Sequence, residues 1–320
     1  MNSDDLEDPT DHPLHDWAAK RRAIARSRHW VSPKGPRTRW RKAIFNQALA
    51  AFSLGLRLTP LHGRGRRNAL DLQQVEMELD LPGLPAAFDG YRLLQLSDTH
   101  LDAFPEIAEA THRLLDGLTV DALAITGDVH GNHHAPIDRS TSLLMQALRG
   151  LTVTGPRLAI LGNHDDVTMA GALARLGFEV LVNRSVTLER GGERLTVTGL
   201  DDVHNFYTDA ALAALREPGE AFRIALVHSA EMADHAADAG YALYLSGHTH
   251  GGQVCLPGGR PLVTQLTRCR HAAVGLWREG RMIGYTSRGL GVSDPPVRFN
   301  CRGEVALITL RRARELHRER

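Results

Sequence analysis

The sequence predicts an α/β fold in which helices cover sheets, with much of the last third in β-structure. From Leu70 onward, short apolar runs alternate with stretches of helical periodicity, as buried strands and covering helices do. Most of the apolar runs end in glycine or polar residues, which places loops at the strand ends. At 320 residues and 42% hydrophobic content, the chain can bury a sizeable core.

The predicted elements follow one another in a regular order. The expected strands are VEMELDL (75–81), YRLLQLS (91–97), DALAIT (121–126), RLAIL (157–161), FEVLV (178–182), RLTVTGL (194–200), RIALVHS (223–229) and YALYLS (241–246). Helices are expected between several of them, at 105–117, 139–150, 168–176, 208–216 and 230–238. The runs AAVGLWREGRMIGYTS and EVALITL then predict strands with no helix between them.

Charge divides the chain into an N-terminal extension (1–67), a main domain (68–310) and a short basic tail (311–320). Residues 4–16 carry six acids and no Lys or Arg, whereas residues 17–67 carry fourteen Lys and Arg and no acid. Within the extension, the segment 40–58 is amphipathic. The residues that share one face of this predicted helix are Phe45, Ala48, Leu49, Phe52 and Leu56.

An apolar stripe beside a dense basic run suits a helix that lies on an anionic membrane, through residues 17–67. Two alternatives remain open: the stripe packs on the main domain, or the basic arm binds nucleic acid. No segment reaches the roughly eighteen apolar residues of a spanning helix. Three cysteines favour a reducing compartment, since they cannot all pair within one chain. We therefore expect a cytoplasmic protein, peripheral on the inner membrane face, with export as the alternative.

Side chains that can bind metals follow the ends of five predicted strands. They are Asp98 and His100; Asp128; Asn163, His164 and Asp165; His228; and His248 and His250. In an open α/β sheet the carboxyl ends of the strands share one edge, so these groups should converge. Imidazoles, carboxylates and one amide, without cysteine, suit Mn, Fe or Zn. The set is too large for one tetrahedral ion, which indicates two ions, with Asp128 short enough to bridge them.

The same motifs carry a resemblance to a known family. The series SDTH, GD, GNHDD, VHS and SGHTHGGQ, over about residues 92–254, resembles the calcineurin-like metallophosphoesterases. LPAAFDGYRLLQLSDTHLD, GLDDVHN, GHTHGGQVCLP and YTSRGLGVSDPPVRFNCRGEVALITL extend the resemblance over about residues 72–310. This wider match is to bacterial phosphodiesterases that include UDP-2,3-diacylglucosamine hydrolases. The resemblance implies a double β-sandwich flanked by helices, in four αββα layers.

The resemblance also implies a role for each site residue. One metal would be held by Asp98, His100, Asp128 and His250. The other would be held by Asp128, Asn163, His228 and His248. His164 would be the catalytic residue, so we expect His164→Ala to retain metal while losing turnover. Two divalent ions, Mn²⁺ first with Fe or Zn as alternatives, would clamp the phosphate and hold an attacking hydroxide between them.

One departure from the family pattern concerns the loop after Asp128. Relatives often have an acid there, as in GDxxD, whereas this chain reads GDVHGNHHAP. His130, His133 and His134 could orient ligands, contact substrate or lie in a solvated loop, and we expect the loop role for at least two of them. Asp165 is expected to orient neighbouring groups rather than to bind metal.

The sequence therefore predicts a two-metal phosphodiesterase or pyrophosphatase at the membrane face. The substrate implied by the resemblance is UDP-2,3-diacylglucosamine of lipid A metabolism, cleaved to the lipid monophosphate and UMP. A nuclease or nucleotide phosphodiesterase that holds nucleic acid on its basic arm is the alternative. A third hypothesis is a non-catalytic scaffold. The presence of His164 and of every expected ligand argues against it. The sequence gives no indication of oligomeric state.

Overall fold

A computed structural model describes residues 13–27, 29–38, 40–131 and 135–313. Its helices are α1 (Pro13–Arg26), α2 (Trp40–Arg57), α3 (Pro60–Leu70), α4 (Glu106–Leu115), α5 (Ile137–Ala147), α6 (Val167–Arg175), α7 (Asp209–Arg216) and α8 (Ala233–Asp238). The strands of the first half are β1 (His29–Ser32), β2 (Gly35–Thr38), β3 (Gln73–Leu81), β4 (Arg92–Leu96), β5 (Thr119–Val120), β6 (Ala122–Thr126), β7 (Thr152–Val153) and β8 (Arg157–Ile160). Those of the second half are β9 (Glu179–Val180), β10 (Arg184–Arg190), β11 (Glu193–Gly199), β12 (Arg223–Leu226), β13 (Leu243–Ser246), β14 (Gly275–Glu279), β15 (Met282–Thr286) and β16 (Glu304–Arg312).

Two six-stranded sheets form the centre of the molecule. The first has the strand order β3-β16-β4-β6-β8-β9, and the second has the order β10-β11-β12-β13-β15-β14. Strands β4, β6 and β8 run parallel in the first sheet, as β11, β12, β13 and β15 do in the second. Short two-stranded pairs, β1-β2 and β5-β7, lie outside these sheets.

Alternation along the strands separates three apolar layers. In β4, Leu93 belongs to the cluster between the two sheets, and the next residue, Leu94, packs with Ile107 of α4 and Leu144 of α5. Successive side chains of a strand point to opposite faces, so a strand that is covered on both faces is apolar at every position. Residues of α7 and α8 form the third cluster on the outer face of the second sheet. The predicted αββα arrangement is confirmed.

The strands and helices expected from Gln73 to Arg312 are present with small shifts at their ends. One strand of a large sheet was not predicted. β10 lies at the edge of the second sheet and is mostly half-exposed or exposed, so it lacks the apolar run that marks buried strands. It pairs with β11 across Gly191 and Gly192, whose φ angles of 57° and 81° give the left-handed turn of a tight hairpin.

The described residues of the N-terminal extension form helices and strands that contact the rest of the chain. The predicted amphipathic segment forms α2, whose Leu56 is buried and whose Leu49 is half-buried. Val31 of β1 donates its N–H to the carbonyl of Asn205 and accepts from the N–H of Tyr207, both at 2.9 Å. No helix in the described part of the chain is long and apolar enough to cross a membrane.

Candidate dinuclear metal centre

The candidate ligands lie at one rim of the sandwich. Loops after β4, β6 and β8 of the first sheet place the side chains of Asp98, His100, Asp128 and Asn163. Loops after β12 and β13 of the second sheet place those of His228, His248 and His250. This differs from the single sheet edge expected from the strand ends. The ligand-bearing strands of both sheets end at the same rim, so a second sheet supplies the remaining groups.

The first cluster consists of Asp98, His100 and His250, all at most 6% exposed. One potential ligand atom from each lies within 4.8 Å of the others. The Nε2 atoms of the two histidines are 3.2 Å apart, and Nε2 of His250 is 3.5 Å from Oδ1 of Asp98.

The second cluster consists of Asp128, His228 and His248, with the same spread of 4.8 Å between potential ligand atoms. Nε2 of His228 is 3.2 Å from Oδ2 of Asp128 and 3.2 Å from Oδ1 of Asn163. Oδ2 of Asp128 is also 3.7 Å from Nε2 of His100 in the first cluster. The Asp128 carboxylate therefore lies between the two clusters, where a bridging ligand is required.

Five candidate ligands have a left-handed backbone. The φ angles are 50° at Asp98, 39° at His100, 55° at Asp128, 71° at His248 and 52° at His250. Non-glycine residues adopt this region rarely, and such strain concentrates at functional sites because the surrounding structure must maintain it. The backbone at this rim is thus shaped for the side chains it presents.

Hydrogen bonds fix the orientation of the candidate ligands. Nδ1 of His100 is 2.9 Å from the carbonyl of His130, and Nδ1 of His228 is 2.8 Å from the carbonyl of Thr126. A neutral ring that donates from Nδ1 to a carbonyl has its lone pair on Nε2, which is how many metal-binding histidines are held. The carboxylate of Asp165 accepts from three backbone N–H groups, each at 2.9 Å: those of Asp128, His130 and Gly162.

Two glycines permit the close approach of the loops. A Cβ at Gly162 would lie 2.1 Å from Oδ1 of Asp128. A Cβ at Gly247 would lie 2.2 Å from Oδ2 of Asp98 and 1.9 Å from Oγ of Ser97. No larger residue fits at either position without moving a candidate ligand.

Burial and neighbouring charges set the protonation of the first cluster. Burial lowers the pKa of His100 to about 4, although the Asp128 carboxylate opposes it, and burial holds the pKa of His250 well below its usual range. Burial also raises the pKa of Asp98 to about 6, partly offset by His228. Both histidines are therefore neutral near pH 7, as metal ligation requires.

The second cluster is charged. Burial lowers the pKa of His248 well below its usual range, so its ring is neutral. Burial also disfavours the His228 cation, but the carboxylates of Asp128 and Asp98 outweigh it and raise the pKa of His228 to about 10. Burial opposes ionisation of Asp128, yet the charges of His228 and His164 hold its pKa well below the usual range. His228 and Asp128 thus form an ion pair in the protein without metal.

The residues present fit a pair of divalent cations. Nε2 of His248 and Nδ1 of His250 are buried and have no hydrogen-bond partner among the described residues, although buried polar atoms are normally paired. Imidazole nitrogens and carboxylate oxygens are the donors that Mn, Fe and Zn accept.

Comparison with known proteins agrees with this chemistry. The family model of calcineurin-like phosphoesterases matches residues 91–252, a range that contains both clusters. The metallophosphoesterase YkuE of Bacillus subtilis is 30% identical over 294 residues, which cover 87% of this chain and 98% of YkuE. The chain belongs to the calcineurin-like phosphoesterase family.

Two further proteins are similar to this member of the family. The phosphodiesterase YaeI of Escherichia coli is 25% identical over 232 residues, which cover 69% of this chain and 82% of YaeI. Among solved structures, the NAD nucleotidase NadN of Haemophilus influenzae aligns with 12% identity and a TM-score of 0.40, over 62% of this chain and 50% of NadN. Family membership makes this chain a metal-dependent phosphoester hydrolase and implies a dinuclear divalent metal site.

One histidine at this phosphoesterase site received no role from the sequence. His204, in the motif GLDDVHN, is 4% exposed, and its ring centroid lies 4.1 Å from that of His248. Its Nδ1 is 2.9 Å from the buried carboxylate of Glu231, which also accepts from Thr267. The motif follows β11 just as the ligand motifs follow their strands, and that position was the available signal.

The histidines after Asp128 fall into two groups. His130 is 3% exposed, and its Nδ1 is 2.8 Å from Oγ of Ser140, so it is a buried residue and not part of a solvated loop. His133 and His134 lie outside the described residues, so their predicted loop role stays a prediction.

Proposed function

We propose that this chain is a two-metal phosphodiesterase that hydrolyses a nucleotide-linked lipid at a membrane face. UDP-2,3-diacylglucosamine, cleaved to the lipid monophosphate and UMP, is the substrate that fits this proposal. The observation that carries it is a cavity of about 740 Å³ that is lined both by residues of the candidate metal centre and by apolar side chains. Asp128, Asn163 and His164 are among the first group, and the apolar side chains are called here the apolar wall.

The apolar wall comes from two parts of the chain. Trp30, Leu49 and Phe52 belong to the N-terminal extension, and Leu262 and Val263 to the loop after β13. A phosphate group alone gives such a wall nothing to bury. An acyl chain does, because each buried CH₂ group contributes about 0.8 kcal/mol. The wall therefore favours a substrate with an apolar part close to its phosphate.

The outer surface of the extension supports a membrane location. Ile44, Leu54, Leu58 and Leu61 are all more than 45% exposed, and Leu58 is 81% exposed. Arg57 of α2 and Arg64 and Arg67 of α3 are exposed basic residues close to them in the chain. These apolar positions are not the predicted stripe, because Leu49 and Phe52 of that stripe line the cavity. The extension thus has an apolar side toward the site and exposed apolar and basic side chains elsewhere.

The chain's own residues would perform the hydrolysis as follows. When bound, the two cations supply positive charge that polarises the phosphoryl group and lowers the pKa of the attacking water. The Asp128 carboxylate would hold both, and the remaining ligands would fix their positions. Asn163 directs Oδ1 toward Nε2 of His228, which leaves its amide NH₂ as a donor to a phosphoryl oxygen. His164 would stabilise developing charge or protonate the leaving oxygen.

A substrate panel tests the proposal. Wild-type protein with Mn²⁺ is given UDP-2,3-diacylglucosamine, a cyclic nucleotide or bis-p-nitrophenyl phosphate. The product measured is UMP, the nucleoside monophosphate or p-nitrophenol, respectively. We expect the highest kcat/KM with the acylated nucleotide. His164→Ala supplies the background, since it should retain metal and lose about 10²–10⁴-fold in kcat. Absence of UMP release by the wild-type protein would contradict the lipid substrate.

Variants of the apolar wall separate acyl recognition from catalysis. Leu49→Ser combined with Phe52→Ser should raise KM for the acylated nucleotide and leave bis-p-nitrophenyl phosphate hydrolysis unchanged. Leu276→Ser, at an apolar residue that is 59% exposed and does not line the cavity, is the matched control. An equal loss on both substrates would show that the wall does not contact an acyl chain.

Membrane docking has its own measurement. Flotation with phosphatidylglycerol vesicles should recover wild-type protein. Because burying one Leu contributes about 1.5–3 kcal/mol, Leu54→Ser with Leu58→Ser should reduce binding at least about tenfold. Failure to float, together with salt-sensitive retention of an oligonucleotide, would favour the nuclease alternative instead.

A further inference from the structure

The N-terminal extension contacts the loop that carries Asn163 and His164. The contact is made by Arg21 of α1, whose side chain is 3% exposed. Its Nη2 donates to the carbonyl of Gly162 at 2.6 Å and to that of Asp165 at 2.8 Å. One guanidinium nitrogen thus binds the backbone on both sides of the two residues assigned to substrate and metal.

Arg21 is itself held in place by a carboxylate and an aromatic ring. Its Nη1 pairs with Oδ1 of the buried Asp201, whose other oxygen accepts from Nε1 of Trp17 at 2.6 Å. The guanidinium also lies 4.1 Å from the centroid of the Phe206 ring. A planar guanidinium fixed by a carboxylate and a ring has little freedom, so the carbonyls it binds are fixed as well.

The same loop is bound from its inner side. The Asp165 carboxylate accepts from the N–H of Gly162 within the loop and from the N–H groups of Asp128 and His130 in the neighbouring loop. His164 donates its N–H to Oδ1 of Asp128 at 2.8 Å. A displacement of the 162–165 backbone would therefore move His164, Asn163 and the carboxylate between the two clusters together.

We infer that Arg21 is a positioning residue of the phosphoesterase reaction, through which the N-terminal extension becomes part of the active site. It acts through the backbone of residues 162–165 and touches neither metal nor substrate. The inference rests on the roles proposed for Asn163 and His164 but not on the identity of the lipid. A basic arm that served only to attract a membrane or nucleic acid would not bury this arginine against a catalytic loop.

The test uses full-length Arg21→Met and Arg21→Lys, with Arg22→Met as the matched control on the exposed side of the same helix. Lys keeps the charge but offers one nitrogen where Arg21 uses two. The first readout is made without metal: hydrogen exchange of the 162–166 amides should speed up in both Arg21 variants and stay at the wild-type rate in Arg22→Met.

The second readout uses bis-p-nitrophenyl phosphate with Mn²⁺, so it does not depend on acyl recognition. We expect kcat to fall about 10–100-fold in both Arg21 variants with a smaller change in KM, as for groups that orient ligands. Added guanidinium chloride at millimolar concentration should recover part of the kcat of Arg21→Met. Should Arg21→Met fail to fold, the comparison rests on Arg21→Lys.

Wild-type exchange rates and kcat in a folded Arg21→Lys would overturn the inference. So would an equal loss in Arg22→Met. The wild-type protein could release no UMP from the acylated nucleotide while the Arg21 variants still lose kcat on bis-p-nitrophenyl phosphate. That result would contradict the proposed lipid substrate and support the positioning role of Arg21.

Discussion

The two candidate metal clusters use the same residue types but hold their protons differently. In the first, burial keeps His100 and His250 neutral, and it raises the pKa of Asp98 to about 6. In the second, the pKa of His228 is raised to about 10, because the Asp128 and Asp98 carboxylates outweigh the effect of burial. The first cluster is thus nearly ready for a cation at neutral pH, whereas in the second a cation must displace a proton.

The difference in protonation between the two clusters arises largely from the Asp128 carboxylate that lies between them. Oδ2 of Asp128 is 3.2 Å from Nε2 of His228 but 3.7 Å from Nε2 of His100. The shorter contact gives the second cluster an internal ion pair that stabilises it without metal. The same carboxylate would hold both cations, so its loss should have the largest effect of any single change at the site.

Asp128→Asn should remove this shared ligand. A neutral amide keeps the shape of the side chain but loses the charge that attracts two cations, so we expect less than one metal per chain and no detectable hydrolysis. Elemental analysis of the purified protein measures the metal content. Asp166→Asn is the matched control, because Asp166 is exposed, caps α6 and can be replaced there by Asn. Two tightly bound metals in Asp128→Asn would remove Asp128 from the bridging position.

His248→Asn and His250→Asn should each weaken one metal. The two side chains are one residue apart, yet His250 lies with Asp98 and His100, and His248 lies with Asp128 and His228. We expect each variant to retain one metal at near wild-type affinity and to bind the other at least about tenfold more weakly. Titration calorimetry with Mn²⁺ on metal-free protein resolves the two sites. Equal weakening of both metals in both variants would show that the clusters do not bind separately.

The two clusters should also differ in how their metal affinity changes with pH. At pH 7 His228 carries a proton that a metal must displace, so the dissociation constant of the second cluster should fall about tenfold per unit from about pH 7 to 9. The first cluster should bind almost independently of pH above about 7, because Asp98, with a pKa of about 6, is then largely ionised. The variant His250→Asn keeps the second cluster intact, and the variant His248→Asn keeps the first, so each cluster can be measured separately. Calorimetry in buffers of different ionisation enthalpy counts the released protons, and equal slopes for both variants would contradict the comparison.

Much of the catalytic domain could be predicted because its signals are local. An apolar run such as RLAIL followed by GNHDD identifies both a buried strand and the polar residues at its end. The edge strand β10 and the division of the ligands between two sheets gave no such signal. Sequence order does not say which sheet a strand joins, and a half-exposed strand has no continuous apolar run.

The extension shows where local signals fail. Arg21 was counted among the basic residues of a membrane-binding arm, but it is buried against Asp201, 180 positions away. Trp30 and Phe52 likewise line a cavity built mainly by the other end of the chain. Contacts between segments so far apart depend on the completed fold, and composition cannot reveal them.

The origin of the ligands in two sheets has a mechanical consequence. Apolar contacts between the inner faces hold the two sheets together along most of their area, but they are non-directional and yield gradually. A cation held by Asp98 and His100 on one sheet and by His250 on the other would cross-link the two sheets at this rim. Removing the metal would then weaken the contact between the two sheets first at the rim that carries the ligands. At the opposite end of the sandwich the sheets would remain packed.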